Sequence, residues 1–219
     1  MFFTLFLSRK LNNQLNHISN LFIHKKIIYD NEYEDDLLKT EGFFGLTKMV
    51  KQPSAWDKAF YFLHNNLFLL DSFDYFFFVE DDVYSKNAQA LYNFCNSCEQ
   101  YDQDLISREI YFKKENPYWH WWSRDKSYEQ FNNHIRSFNP LCRLSKNLIK
   151  DILVYREKHK KFIFHEILFP CLCVDLEMKY LDMDKIKEKQ FIGKFVWRPI
   201  IDVNFIQDEK IYHPVKPIY

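Results

Sequence analysis

Three consecutive carboxylates, Glu80-Asp81-Asp82, follow directly on the apolar run Phe76-Phe77-Phe78-Val79, and Val83 closes the segment. Like charges this close repel, so the arrangement costs stability unless a cation offsets it. In an extended backbone Glu80 and Asp82 project to the same side. Two carboxylates on one side at a strand end suit a hard divalent ion, which keeps open positions for water and substrate phosphates. The plain alternative is a solvated acidic turn after a strand. The wholly apolar lead-in favours the site, because a buried strand fixes the triplet at the ligand-binding edge of an α/β sheet.

The elements that must position this triplet are legible around it. Phe2 to Leu7 is a continuous apolar run, as expected of a strand covered on both faces. Asn12 to Phe22 carries Leu15, Ile18, Leu21 and Phe22 at helical spacing, and Lys26 to Tyr29 reads as a second strand ending at Asp30. Ser54 can cap a helix in which Trp56, Phe60 and Leu63 recur on one face. Tyr75 to Val79 is the third strand. Ser85 is expected to cap a helix with Ala88, Leu91, Tyr92 and Cys95 as its apolar stripe. This alternation implies an α/β fold with a mostly parallel central sheet flanked by helices. Right-handed crossovers then bring the strand ends to one edge. In the second half, Ile110 to Trp122 reads as strand-like, Ser145 caps a helix carrying Leu148, Ile149, Ile152 and Leu153, His165 to Cys173 is helical, and Phe191 to Arg198 is a strand. Lys210 to Tyr219 reads as an extended tail. One domain, 1–219, is expected, with a soft lobe boundary near Asp104 separating 1–104 from 105–219.

Within Trp119-His120-Trp121-Trp122, alternation would place Trp119 and Trp121 on one face, and His120 and Trp122 on the other. Aromatic rings stack on the apolar faces of sugars and favour interfaces, so one face suits a cleft and the other ordinary core packing.

The segment Glu80-Asp81-Asp82 resembles the Asp-x-Asp motif of GT-A-fold, metal-dependent glycosyltransferases, with Glu80 in the first place and Asp82 in the last. Glu in the first place departs from the family pattern. The resemblance covers most of the chain in order and is nearest to the compact single-domain enzymes of large DNA viruses and bacterial surface-glycan loci. It implies a nucleotide-binding N-terminal lobe and an acceptor-binding C-terminal lobe. It further implies transfer from a nucleotide-sugar donor, uridine-linked by expectation, to a hydroxyl of a glycan acceptor, with Mn2+ or Mg2+ as cofactor. Asp82 would hold the ion and Glu80 the ion or the donor ribose. His213, in Ile211-Tyr212-His213-Pro214-Val215-Lys216, would return to the ion, imidazole being a good manganese ligand, and Lys216 would sit near the diphosphate. Glu166, in Phe164-His165-Glu166-Ile167, would be the general base of an inverting reaction; its plain alternative is a helix-start glutamate favoured by the macrodipole, which would also hold it ionised. Lys58, in Ser54-Ala55-Trp56-Asp57-Lys58, would reach phosphate or ribose. Arg9, Asp30, Lys58 and the Glu80 to Asp82 segment, Asp81 included, are expected to line one donor pocket.

Composition narrows the alternatives. With three glycines, Gly42, Gly45 and Gly193, neither a Walker loop nor a dinucleotide fingerprint can be built. Thirty acidic residues balance thirty basic ones, so no basic excess points to nucleic acid. Cys95, Cys98, Cys142, Cys171 and Cys173 are odd in number and irregular in spacing, which reads as buried, reduced thiols rather than a disulfide framework or a zinc site. Met1 to Leu7 is too short to span a bilayer, and a cytoplasmic protein is expected, with peripheral membrane association left open. Two rival readings remain. Glu177-Met178-Lys179 matches a short nuclease element, with Asp151 or Asp175 as an upstream acid, and a non-catalytic nucleotide-sugar-binding module would share the same fold.

Overall fold

The computed structural model describes residues 1–10, 13–47, 52–124 and 126–215. The strands are β1 (Phe2–Ser8), β2 (Lys25–Tyr29), β3 (Tyr75–Glu80), β4 (Leu105–Phe112), β5 (Ile135–Ser145), β6 (Tyr180–Asp182), β7 (Ile192–Phe195) and β8 (Ile211–His213). The helices are α1 (Asn13–Ser19), α2 (Asp35–Thr40), α3 (Ala55–Asn65), α4 (Phe68–Ser72), α5 (Ala88–Ser97), α6 (Trp121–Arg124), α7 (Lys146–His159) and α8 (His165–Asp175). Asn12, the expected start of the first helix, lies outside the described residues, as does Lys216.

Six strands form one sheet in the order β2-β1-β3-β5-β4-β6. Strands β1, β2 and β3 are mutually parallel, β5 is antiparallel to both β3 and β4, and β6 is parallel to β4. Thus β5 alone is reversed in this sheet. The fold is α/β, with a mixed, mostly parallel sheet flanked by helices. Both faces of the sheet are covered, and alternate residues serve opposite cores. Phe3, Leu5, Leu7, Phe76 and Phe78 enter the core under α3, α7 and α8. Phe6, Phe77 and Val79 enter the core under α1 and α5. The sheet continues across Asp104, whose carboxylate accepts hydrogen bonds from Ser145 Oγ (2.7 Å) and the Lys179 amide (3.1 Å).

Several local expectations are corrected. Helix α5 is capped by Asn87, whose side chain accepts from the Gln89 amide at 3.0 Å. Ser85 instead donates to the Asn87 carbonyl. Ile110 to Trp122 is not one strand. Strand β4 ends at Phe112, and the tryptophans begin α6 after a turn. The Phe191–Arg198 expectation shortens to β7. The Ser145 cap is present, with Ser145 Oγ accepting from the Leu148 amide. All five cysteines are buried free thiols. Among the described residues no helix is long and apolar enough to cross a membrane.

Helix α3 supports the site directly, and its start is closed by a capping box. The buried Asp57 carboxylate accepts from the Ser54 amide (2.8 Å), Ser54 Oγ (2.8 Å) and the Leu46 amide (2.9 Å). Burial still raises this carboxyl to about 6. The Leu46 segment also runs beside the approach to α8, with the Phe162 amide donating to Phe44 O and the His165 amide to Leu46 O. Gly45 has φ 112° here, and a Cβ would collide with the Phe162 carbonyl. Asp57→Ala leaves two buried backbone amides, of Ser54 and Leu46, unmatched. It is expected to lower unfolding free energy by about 3 kcal/mol in urea titrations. A loss below about 0.5 kcal/mol, the range of ordinary surface changes, would show that Asp57 does not organise this corner.

Candidate metal centre and adjoining cavity

The ends of β1, β2 and β3 share one edge of the sheet, and short bonds tie them together. Asp81 turns back to β1, where its Oδ2 accepts from Ser8 Oγ (3.0 Å) and the Arg9 amide (3.1 Å). Asp30, just past β2, accepts from the Ala55 amide at 2.6 Å and so fixes the start of α3. One residue on, Trp56 Nε1 donates to Glu80 Oε1 at 2.7 Å. This bond orients the Glu80 carboxylate and leaves Oε2 facing away from α3.

Glu80 and Asp82 meet His213. Nε2 of His213 lies 3.1 Å from Asp82 Oδ1 and 3.9 Å from Glu80 Oε2. One ligand atom from each of the three residues falls within 4.8 Å of the others. The backbone brings the imidazole here. Tyr84 and Tyr212 exchange amide-to-carbonyl bonds (2.9 and 2.8 Å), and the Val215 amide donates to the Asp82 carbonyl (2.9 Å). The tail is therefore stitched to the acidic loop on both sides of His213. On its other edge β8 lies parallel to β7.

The donor set fits a divalent cation. Asp82 Oδ1 is buried and has no hydrogen-bond partner, although His213 stands opposite. The His213 Nδ1 is 3.1 Å from the Val196 carbonyl, which fixes the proton on Nδ1 in the neutral ring and turns the Nε2 lone pair inward. Metal-bound histidines are held in this way. Two carboxylate oxygens and one imidazole nitrogen suit manganese well and magnesium acceptably. The electrostatics show the same deficit of positive charge. Burial, then the charge of Asp82, raises Glu80 to about 7. Burial alone would lower His213, but Asp82 and Glu80 outweigh it and raise its pKa.

The remaining expected residues divide. Arg9 is exposed, and its charge acts on both Asp30 and Asp81, which places it at the same edge. Lys58 is not available to a ligand as expected. It is fully buried, with its ammonium 2.9 Å from Asp35 Oδ1 and bonded to the Asp30 carbonyl. Asp30 and Lys58 line a cavity of about 680 Å³ together with Tyr33, Asp35 and Gln52. Arg9 and the Glu80 to Asp82 segment are not in that lining.

Glu166 lines a second cavity, of about 160 Å³, with Glu109, Trp119, His120, Trp121, Arg136, Phe138 and Trp197. This cavity abuts the carboxylate–imidazole cluster: the Phe138 ring in its wall packs edge-on against His213 at 5.3 Å. Glu166 does not have the lowered pKa that the macrodipole alone would give it. Burial first, and then the charge of Glu80, raise its carboxyl well above the ordinary range. Nor is His165 free to orient an acceptor. Its ring is buried and stacked on Trp56 at 4.3 Å, and burial lowers its pKa to about 3. The tryptophans also depart from alternation. Trp119 and Trp121 line the cavity with His120, while Trp122 is a core residue donating Nε1–H to the Asn116 carbonyl.

Arg136, Glu109 and Trp197 carried no sequence signal of spacing; the nearest hint was a charged residue inside the otherwise uncharged start of β5. Two residues of the nuclease alternative are taken up by structural contacts. Asp175 accepts from the amides of Asn132 and Asn133, and Lys179 pairs with Asp102 at 2.5 Å. Asp151, on α7, feels the charge of Asp104.

Protein-family models and curated proteins provide no match to this chain. Fold and site define its class by themselves: an α/β protein with a carboxylate–imidazole cluster at the sheet edge where β1, β2 and β3 end. Manganese should raise the melting temperature of the wild-type protein, since an ion bound to the native state stabilises it by mass action. Asp82→Ala should abolish the shift and His213→Ala should reduce it. An undiminished shift in folded Asp82→Ala would remove the assignment.

Proposed function

We propose that this chain is a glycosyltransferase that moves a sugar from a nucleoside-diphosphate sugar to a hydroxyl of a glycan acceptor, with a divalent cation. The observation that carries the reading is the juxtaposition of two features. Three ligand atoms lie within 4.8 Å of one another at the sheet edge, and next to them is an aromatic cavity that contains a carboxyl, Glu166. Glu80 Oε2, Asp82 Oδ1 and His213 Nε2 would hold the cation. When bound, manganese or magnesium supplies positive charge for the donor diphosphate, and it offsets the charge of Glu80 that raises the Glu166 pKa.

The chain's own residues would then serve the transfer as follows. Trp56 holds the Glu80 carboxylate, and the Val215 amide, bonded to the Asp82 carbonyl, holds the Asp82 backbone in place. Arg9, exposed at the same edge, is available to the donor. The aromatic walls of the second cavity exclude water from the acceptor, which limits hydrolysis. Glu166, as its carboxylate, takes the proton of the acceptor hydroxyl. The acceptor oxygen forms its bond to the anomeric carbon while the bond from that carbon to the diphosphate oxygen breaks, and the configuration inverts. A buried carboxylate is a stronger base than an exposed one, which suits this role near neutral pH.

Glu166→Gln keeps the shape and removes the basicity. It should retain manganese-dependent nucleoside-diphosphate binding and lower transfer by roughly a hundredfold or more. Rates from sugar-nucleotide consumption and the anomeric configuration of the product by NMR decide the matter. Unchanged transfer in Glu166→Gln, or a product that keeps the donor's configuration, would rule out Glu166 as this base.

A further inference from the structure

Strand β4 loses register twice, between Ile106 and Arg108 and between Arg108 and Tyr111. Within this irregularity Glu109 has φ 51°. A non-glycine residue in the left-handed region costs about 1 kcal/mol or more. The irregularity is anchored from β6 and beyond: Asp182 Oδ2 accepts from the Ile110 amide (3.1 Å), and the Asp184 carboxylate accepts from Arg108 Nε (3.0 Å). Bulges of this kind re-aim side chains, and here Glu109 is aimed at the cavity that holds Glu166.

Glu109 meets Arg136 there. Arg136 Nη2 donates to Glu109 Oε2 at 2.9 Å, and the guanidinium lies 5.2 Å from the Trp119 ring centre and 5.3 Å from that of Tyr111. With its amide turned to satisfy both groups, the Asn116 side-chain oxygen accepts from Arg136 Nε (3.2 Å) and Nη2 (2.9 Å). Arg136 is thus buried and fixed on three sides. Its Nη1 and the Glu109 Oε1 make no hydrogen bond to any described residue. Both residues line the cavity walled by Trp119, Trp121 and Trp197, so the pair offers it a donor and an acceptor.

We propose that this cavity is the acceptor subsite for one non-acidic, chain-terminal sugar ring, and that the Arg136–Glu109 pair reads two adjacent hydroxyls of that ring. The inference rests on the transferase reading above and deepens it. Two neighbouring hydroxyls match the pair, because one accepts from Nη1 while the other donates to Oε1. The C–H faces of the ring lie against indole. A cavity of about 160 Å³ has room for a sugar ring. Within the lining Arg136 is the one permanent cation, and Glu109 already pairs with it; Arg124 lies over the Trp121 ring at 5.8 Å but is not part of the lining. A carboxylate-bearing sugar would meet the carboxyls of Glu109 and Glu166 there, which favours a neutral ring.

The test is saturation-transfer NMR and tryptophan fluorescence on the full chain. The probes are the methyl glycosides of glucose, galactose and mannose and methyl glucuronide, with and without manganese and uridine diphosphate. At least one neutral glycoside should bind and methyl glucuronide should not. Glu109→Gln should weaken the neutral glycoside by about tenfold or more, the worth of a hydrogen bond to a charged group. Trp197→Ala should weaken it as well; that ring is 49% exposed, so this variant keeps the test open even where Glu109→Gln fails to fold. Three results would each overturn the inference: methyl glucuronide binding as well as the neutral glycosides, no neutral glycoside binding under any condition, or neutral binding unchanged in the folded variants. Nucleotide binding in the same samples separates the two readings. Manganese-dependent nucleotide binding without glycoside binding defeats this inference alone, whereas glycoside binding without nucleotide binding defeats the transferase reading and leaves the sugar cavity standing.

Discussion

Two carboxylates that repel each other are fixed side by side at the end of a buried strand, and much of the surrounding architecture answers that repulsion. Glu80 cannot move away, because it pairs in register with Leu7 of β1 and the preceding Val79 is paired on both edges. Asp82 cannot move away either, because its carbonyl accepts the Val215 amide. The strain is met by the Trp56 indole on Glu80, by His213 on Asp82, and by a donor geometry that suits a cation. A proton taken up by the cluster and a divalent ion bound there are two ways of offsetting the same charge.

Trp56 extends this local arrangement toward the second cavity. Its ring stacks on Phe78 of β3 (5.2 Å, 10° between planes) and on His165 (4.3 Å, 17°), and Phe60 stacks on the far side of Phe78 at 5.5 Å. His165 is also bonded to Asn139 of β5. The residue that orients Glu80 therefore packs against the residue preceding Glu166, and the two carboxyls share one support. Close-packed interiors transmit small displacements, so the spacing of the cluster and the cavity depends on this aromatic column as well as on the sheet. The antiparallel β5 has a related part. It carries Arg136 and Phe138 to the cavity while its Leu141, Cys142 and Leu144 fill the cores on the two faces of the sheet.

Some of the site was legible because the signals were local. The apolar run before Glu80 required a buried strand, and the two-residue period placed Glu80 and Asp82 together. Ser54 and Ser145 announced helix starts through their own side-chain chemistry. Ser85 misled because Asn87, two residues later, caps as well, and the loop gave the helix start to Asn87. Lys58 misled because nothing near it in the chain revealed Asp35 as its partner. Ile110 to Trp122 misled because aromatic content signals burial, and burial is shared by strands, turns and short helices.

By itself the sequence determined the alternation of elements, the two-sided burial of the first three strands, and the exit of the acidic triplet at a sheet edge. These follow from periodicity and from backbone geometry over a few residues. Tertiary structure alone decided that His213 returns to that triplet, since a backbone ladder between Tyr84 and Tyr212, far apart in the chain, brings it there. It decided that Glu166 is buried beside Glu80, with a raised pKa rather than the lowered one a helix start alone would give, because desolvation in a packed interior outweighs a helix terminus. It also decided that Glu109 meets Arg136, because an irregularity in β4, anchored by Asp182 and Asp184, turns a residue with no distinguishing context into a wall of the cavity.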